Sequence, residues 1–257
     1  MFRHVLWPLR GFETLRALGD GPTTLYPVRN LRYWFPRMFL EQLHAQLRVP
    51  LSVLEVGIGE GKMLAFMGGP KLPDERIGLP DWIERWDGLD VTFQRAALDR
   101  FVYTRFIEGN VEAACDLEGR RYHAVLLIHV LEHLFKPEHA MLRLLDVLYD
   151  RGRIIGGSPT MPDAFAYVHE PLLRWKHRDV LNDATIHRHI SVMTPGRVKR
   201  FARRNRLKID HLAGAFFLRA SGLCFENSGM WLRSNLLWGA MFPSLGAELY
   251  FSVCRNR

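Results

Sequence analysis

Cysteine is scarce in this sequence of 257 residues: Cys115, Cys224 and Cys254 are the three present, far apart and with no C-x-x-C pair. A disulfide framework and a thiolate zinc site are thereby excluded as sources of stability. Long apolar runs are lacking too. The nearest to the roughly 20 residues a spanning helix needs is Met230 to Tyr250, which Arg233, Pro243 and several glycines interrupt. The N-terminal segment has Arg and Pro in every apolar run and no small-residue cleavage site, so it does not read as a secretory signal, and a cytoplasmic protein is expected. Biased composition is also missing: 21 Gly and 14 Pro are dispersed through a chain that is 48% apolar, which excludes disorder and collagen-like structure. At this length an α/β domain can bury roughly 70–75% of its unfolded surface without metals or disulfides.

Acidic charge falls short of basic, with 27 Asp plus Glu against 35 Lys plus Arg and a net charge of +8. A positive field attracts nucleic acid, anionic lipid and phosphorylated substrates alike, so sign alone does not choose among them. The densest basic run, Arg197 to Lys208, is amphipathic through Val198, Phe201 and Ala202 and reads as a solvated helix face. No zinc-finger or RNP-type signature accompanies it, which disfavours nucleic acid as a partner.

What is present is an alternation of strand and helix patterns. Residues 1–49 form a helical lead-in, with a helix over Phe35 to Leu47, and residues 50–257 form the main domain. Leu51 to Val56, Trp86 to Val91, Val102 to Ile107, Tyr122 to Ile128 and Gly152 to Gly156 read as strands. Helices follow at Gly61 to Met67, Phe93 to Phe101 and Pro137 to Leu148. Gly68 to Pro80 is a loop, and Pro159 to Thr194 an insertion facing the substrate. The expected architecture is α/β: a doubly wound, mostly parallel sheet. In such sheets ligands sit beyond the carboxyl ends of the strands.

After the first strand stands Glu55-Val56-Gly57-Ile58-Gly59-Glu60-Gly61. Glycines at these spacings allow a tight turn with backbone amides open to a ligand, although the spacing is not the G-x-G-x-x-G of dinucleotide sites. An acid before the loop repels pyrophosphate and welcomes a cation. Asp90, ending the second strand, can accept hydrogen bonds from ribose hydroxyls or cap the next helix. His129-Val130-Leu131-Glu132-His133 spells the H-x-x-E-H of inverted zinc peptidases. It starts at a strand end, however, where His129 and His133 need not share a face.

Residues 51–160 resemble the class I S-adenosylmethionine-dependent methyltransferases, in particular the small-molecule and glycan branch. The resemblance is carried by LEVGIGEG, by GLDV and by YHAVLLIHVLEHLFKPEHAMLRLLDVLYDRGRIIGGSPT. Further on, HRHISVMTPGRVKRFARRNRLKIDHL and AELYFSVC resemble that family's sixth and seventh strand regions. The resemblance implies a Rossmann-like seven-stranded sheet with S-adenosylmethionine as cofactor. Glu55, Gly57, Gly59 and Gly61 would meet the amino-acid part of the cofactor and Asp90 its ribose. Val91, Asn110 and Val111 would surround the adenine, with Asn110 in place of the family's more frequent Asp, and His129 would complete the set. Some ubiquinone-pathway relatives bind a divalent cation in the segment of Glu132 and His133, so a metal there is a further expectation.

Methyl transfer to a hydroxyl benefits from a base, and His133, His187 and His189, with Glu132 as an orienting acid, are the candidates. Tyr167, His169, Trp175, Lys176, His177 and Arg178 suit stacking on a sugar and gripping an anion, and Arg188 suits a phosphate. The resemblance extends to bacterial enzymes of polysaccharide or O-antigen synthesis, which implies a sugar acceptor, nucleotide- or lipid-linked. A quinone or other small metabolite is the alternative acceptor, and a non-catalytic basic binding module the alternative function. Met230 to Phe242 is apolar and aromatic, and reads as core, as a homodimer interface or as a peripheral membrane contact.

Overall fold

The computed structural model describes residues 2–17, 24–68, 77–93, 98–99, 101–113, 117, 119–178, 188–216 and 222–256. The helices are α1 (Phe12–Ala17), α2 (Leu31–Leu47), α3 (Lys62–Gly68), α4 (Pro137–Leu145), α5 (Asp163–Lys176), α6 (Pro195–Arg204) and α7 (Gly229–Met241). The strands are β1 (Leu51–Val56), β2 (Ile83–Asp90), β3 (Arg105–Glu108), β4 (Tyr122–Ile128), β5 (Leu148–Pro159), β6 (Leu207–Ala215) and β7 (Glu248–Arg255).

These strands form one seven-stranded sheet in the order β3-β2-β1-β4-β5-β7-β6. The first five run parallel and β7 is antiparallel to both β5 and β6. The sequence-based α/β expectation is met. β1 is buried along its whole length, Ser52 and Glu55 included, as a strand must be when helices cover both faces. On one face α2 and α3 form a core of Trp34, Phe35, Phe39, Phe66 and Tyr250, with Phe35 stacked on Tyr250 at 4.2 Å between ring centroids. On the other, α4 and α6 bury Met141, Leu144, Val198 and Phe201 against Leu54, Val125 and Phe251.

Some boundaries differ from the sequence reading. The helix expected from Phe35 starts at Leu31, because Pro36 sits inside α2 rather than at its start. β3 begins at Arg105, three residues late, and α4 ends at Leu145. β5 extends far beyond Gly152–Gly156, its exposed first half Tyr149–Arg151 offering no apolar pattern. The basic run divides between α6 and β6. Most of the loop Gly68–Pro80, and most of the helix expected at Phe93–Phe101, lie outside the described residues. The Met230–Phe242 segment is half core: α7 buries Leu232, Leu236 and Ala240 but exposes Met230, Leu237 and Met241.

Candidate cofactor and acceptor site

The carboxyl ends of β1, β2 and β4 open onto a cavity of about 700 Å³, where a doubly wound sheet places its ligands. Its floor is the turn after β1. Gly57 has φ +73°, and a Cβ there would lie 2.4 Å from Val130 Cγ2. The loop can therefore approach the β4 exit closely only because this residue is glycine. Gly59 and Gly61 also have positive φ, and the Gly59 position faces open space.

Glu55 is buried, and its Oε2 accepts from Trp86 Nε1 at 2.8 Å and from the Tyr103 hydroxyl at 3.0 Å. Burial nevertheless pushes its pKa up to about 7, outweighing the two hydrogen bonds, since desolvation penalises the charged form. At the end of β2, Asp90 accepts from the Gly59 amide at 3.1 Å and from the Val91 amide at 2.7 Å. The Asn110 side-chain oxygen accepts from the Glu112 amide at 2.9 Å, forming an Asx turn beside buried Val111. Glu55, Gly57, Gly59, Asp90, Val91, Asn110 and Val111 line the cavity, whereas Gly61, Trp86 and Tyr103 stand behind it.

The opposite wall comes from the chain leaving β4. His129 adopts a left-handed φ of +55°, which is uncommon for a residue with a Cβ, and its amide donates to the Gly157 carbonyl at 2.7 Å. Its ring lies between two carboxylates, with Nδ1 3.2 Å from Glu132 and Nε2 3.5 Å from Glu248. Burial lowers the His129 pKa, but the two acids outweigh it and the net shift is upward. Burial likewise raises Glu248, and His129 and Tyr250 reverse it to a net fall. The two carboxylates thus favour the protonated form of the ring.

Residues 131–133 form a single 3-10 turn. This turn agrees with the doubt raised by the motif's start at a strand end, because the zinc-peptidase H-x-x-E-H needs both histidines on one α-helical face. Instead His133 Nδ1 lies 3.0 Å from the Arg188 carbonyl oxygen. Since a carbonyl only accepts, Nδ1 carries the proton, and Nε2 is the lone-pair nitrogen of the neutral ring. His189 meets His133 edge-on at 5.0 Å between centroids, and ligand atoms of Glu132, His133 and His189 lie within 4.8 Å of one another. The segment 188–191 is strapped to this turn. Ile190 and Ser191 donate their amides to the Glu132 carbonyl, and Ser191 Oγ donates to the Leu131 carbonyl at 2.6 Å.

His187 lies outside the described residues. Among the described residues of the expected insertion, Arg188 and Ile190 line the cavity. Tyr167, His169, Trp175, Lys176 and Arg178 are exposed instead, and His177 is half-buried. The sequence reading missed two acids. Glu248 is the first residue of β7 and has no local signal. Glu112 accepts from the amides of Phe135 and Lys136 and so ties the β3 exit to the β4 exit; its place two residues after Asn110 was the available clue.

Residues 29–212 match the family described as "Methyltransferase domain". The chain belongs to that family, and its fold is that of the class I S-adenosylmethionine-dependent methyltransferases. No curated protein matches the sequence. Similar solved structures include a Haloferax volcanii protein described as a methyltransferase, in complex with the Trm112 methyltransferase activator, at 14% identity and TM-score 0.53 over 95% of both chains. The plantazolicin methyltransferase BamL, solved with S-adenosylhomocysteine and a desmethyl substrate analogue, has 16% identity and TM-score 0.51 over 89% of this chain and 86% of its own. A methyltransferase-like protein of Bacillus halodurans C-125 has 13% identity and TM-score 0.52, covering 85% and 99%.

Proposed function

We propose that this S-adenosylmethionine-dependent methyltransferase methylates a hydroxyl group, with His133 as general base. The observation that carries this reading is the contact of His133 Nδ1 with the Arg188 carbonyl, which makes Nε2 the proton-accepting nitrogen of the neutral tautomer in a ring that lines the cavity. When bound, the cofactor supplies a methyl group on a sulfonium, an electrophile that needs alignment more than activation. A sugar hydroxyl is a weak nucleophile, so its proton must leave as the carbon–oxygen bond forms. His133 Nε2 takes that proton, while the carbon–sulfur electron pair stays on sulfur to give the neutral thioether.

The remaining roles follow the cavity's layout. Glu55 and the Gly57–Gly61 loop receive the cationic amino-acid end, Asp90 the ribose, and Val91, Asn110 and Val111 the adenine. His129 shapes the wall between cofactor and acceptor from its place between Glu132 and Glu248. Arg32, Lys62, Lys136 and Arg188 on the lining favour an acceptor that carries phosphate, such as a nucleotide- or lipid-linked sugar. A quinone or other small metabolite needs none of those four cations.

A second use of His133 is favoured by the Glu132, His133 and His189 cluster. A divalent cation held there would polarise the acceptor oxygen. Chelation separates the two: activity that survives EDTA supports the base, and loss restored by added magnesium or manganese supports the cation. His133→Gln is expected to lower kcat by about 10²–10⁴-fold with cofactor affinity unchanged. An unchanged kcat contradicts the assignment. Turnover of phosphate-bearing sugars but not of quinols supports the sugar acceptor, and the reverse overturns it.

A further inference from the structure

Helix α5 carries an apolar stripe that nothing among the described residues covers. Phe165, Val168, Leu172 and Trp175 recur at helical spacing on one side of Asp163–Lys176, and their exposures are 69%, 65%, 56% and 68%. A globular helix normally buries such a stripe, yet this helix turns the other way, with Ala166 as its buried residue. Its two acids are drawn inward. Asp163 accepts from the Thr194 hydroxyl at 2.6 Å and the Gly196 amide at 3.2 Å, and Glu170 pairs with Arg174 and Arg197, each at 2.6 Å. The outward face is left with Lys176 and, just past the helix, Arg178.

The neighbouring helix, packed on the inner side of α5, is basic as well. Pro195–Arg204 contains no acid, and its Lys199, Arg200, Arg203 and Arg204 are exposed. An aromatic and aliphatic stripe flanked by cations, with acids withdrawn from the face, is the composition of a helix that lies in the headgroup layer of an anionic membrane. A second copy of this chain is a poorer occupant, because a two-fold interface would bring two like-charged rims together. The exposed residues of α7 lack such a rim, since Arg233 turns inward to the Val5 carbonyl.

We infer that α5 and α6 dock this protein on an anionic phospholipid surface through the Phe165, Val168, Leu172 and Trp175 stripe. The docking helix is tied directly to the cavity wall. Arg174 donates from the inner side of α5 to the carbonyls of Phe135 and Ile190, at 3.0 and 3.2 Å, and both residues line the cavity. The docking stands apart from the choice of acceptor and needs no turnover to be tested.

Co-sedimentation of the full chain with vesicles is the test, using equal parts phosphatidylglycerol and phosphatidylcholine against pure phosphatidylcholine. Wild type is expected to bind the mixed vesicles, to release with rising salt, and to ignore the neutral ones. The triple variant Phe165→Ser, Leu172→Ser, Trp175→Ser is expected to lose about tenfold or more in partitioning with an unchanged melting curve. Trp175→Ser alone serves if the triple variant unfolds. Lys199→Gln with Arg203→Gln is expected to weaken binding at low salt. Failure of wild type to sediment, or equal binding by wild type and the serine variants, overturns the inference. So does a concentration-dependent dimer that the serine variants abolish, which would assign the stripe to a second copy.

Discussion

Burial holds the Glu55 carboxyl near pH 7 in spite of the indole and phenol donors on its Oε2. A protonated carboxyl is a poor partner for an ammonium or sulfonium, whereas a carboxylate is a good one. Cofactor affinity is therefore expected to rise as pH increases through about 7. In Glu55→Gln it is expected to be weaker and flat across that range, as read by titration in a series of buffers. The same protonation has the opposite sign for folding. The folded pKa lies above the ordinary carboxylate value, so Glu55's contribution to stability is present below pH 4.5 and lost as pH rises through about 7.

At the scale of elements, α7 and β6 approach closely through glycine: a Cβ on Gly239 would lie 1.7 Å from the Gly214 carbonyl oxygen. Gly239→Ala cannot be absorbed by a side-chain rotation, because the obstacle is backbone. The helix must move off the strand, and a loss of about 1–3 kcal/mol is expected in denaturant unfolding. Legibility in the sequence also divides along elements. Tyr122–Ile128 was readable at its observed bounds because a strand buried on both faces leaves a nearly continuous apolar run, broken here by His123 alone. The turn after β1 was readable from its glycines, and Asp90 from its place at a strand end. The exposed half of β5 was not readable, since Asp150 and Arg151 there break any alternation. Nor was Glu248, which reaches His129 only because β7 inserts antiparallel beside β5. Pairings of that kind are set by tertiary topology and have no local signal. Likewise, the aromatic residues of Asp163–Lys176 suggested a ligand-facing lid by composition alone, and only the direction of the helix placed them outside.

Across the whole molecule, the sheet separates two packed faces, and a second titration acts against that of Glu55. His211 on β6 sits in the α2-side core, edge-on to His4 at 4.8 Å and to Phe39 at 4.9 Å. Burial, helped by the His4 charge, lowers its pKa to about 3. A folded value below the unfolded 6.5 means that the unfolded chain binds the proton first. This stability is present above pH 6.5 and is lost as pH falls toward about 3. The slopes of His211 and Glu55 oppose each other between pH 4.5 and 6.5, so a wild-type curve is flatter there than either group alone would make it. His211→Phe is expected to remove the acid-side loss, and its stability relative to wild type should improve steadily below pH 6.5. A constant difference across that range contradicts the burial of a neutral imidazole.

The central claim is that the cavity at the ends of β1, β2 and β4 holds S-adenosylmethionine, with Asp90 on the ribose. Calorimetric titration of the purified chain with S-adenosylhomocysteine, beside NADH and the Asp90→Ala variant, tests it most directly. The account predicts saturable binding of S-adenosylhomocysteine, none of NADH, and loss of binding in a variant whose melting curve matches wild type. Absence of heat from S-adenosylhomocysteine, or binding untouched by Asp90→Ala, would contradict it.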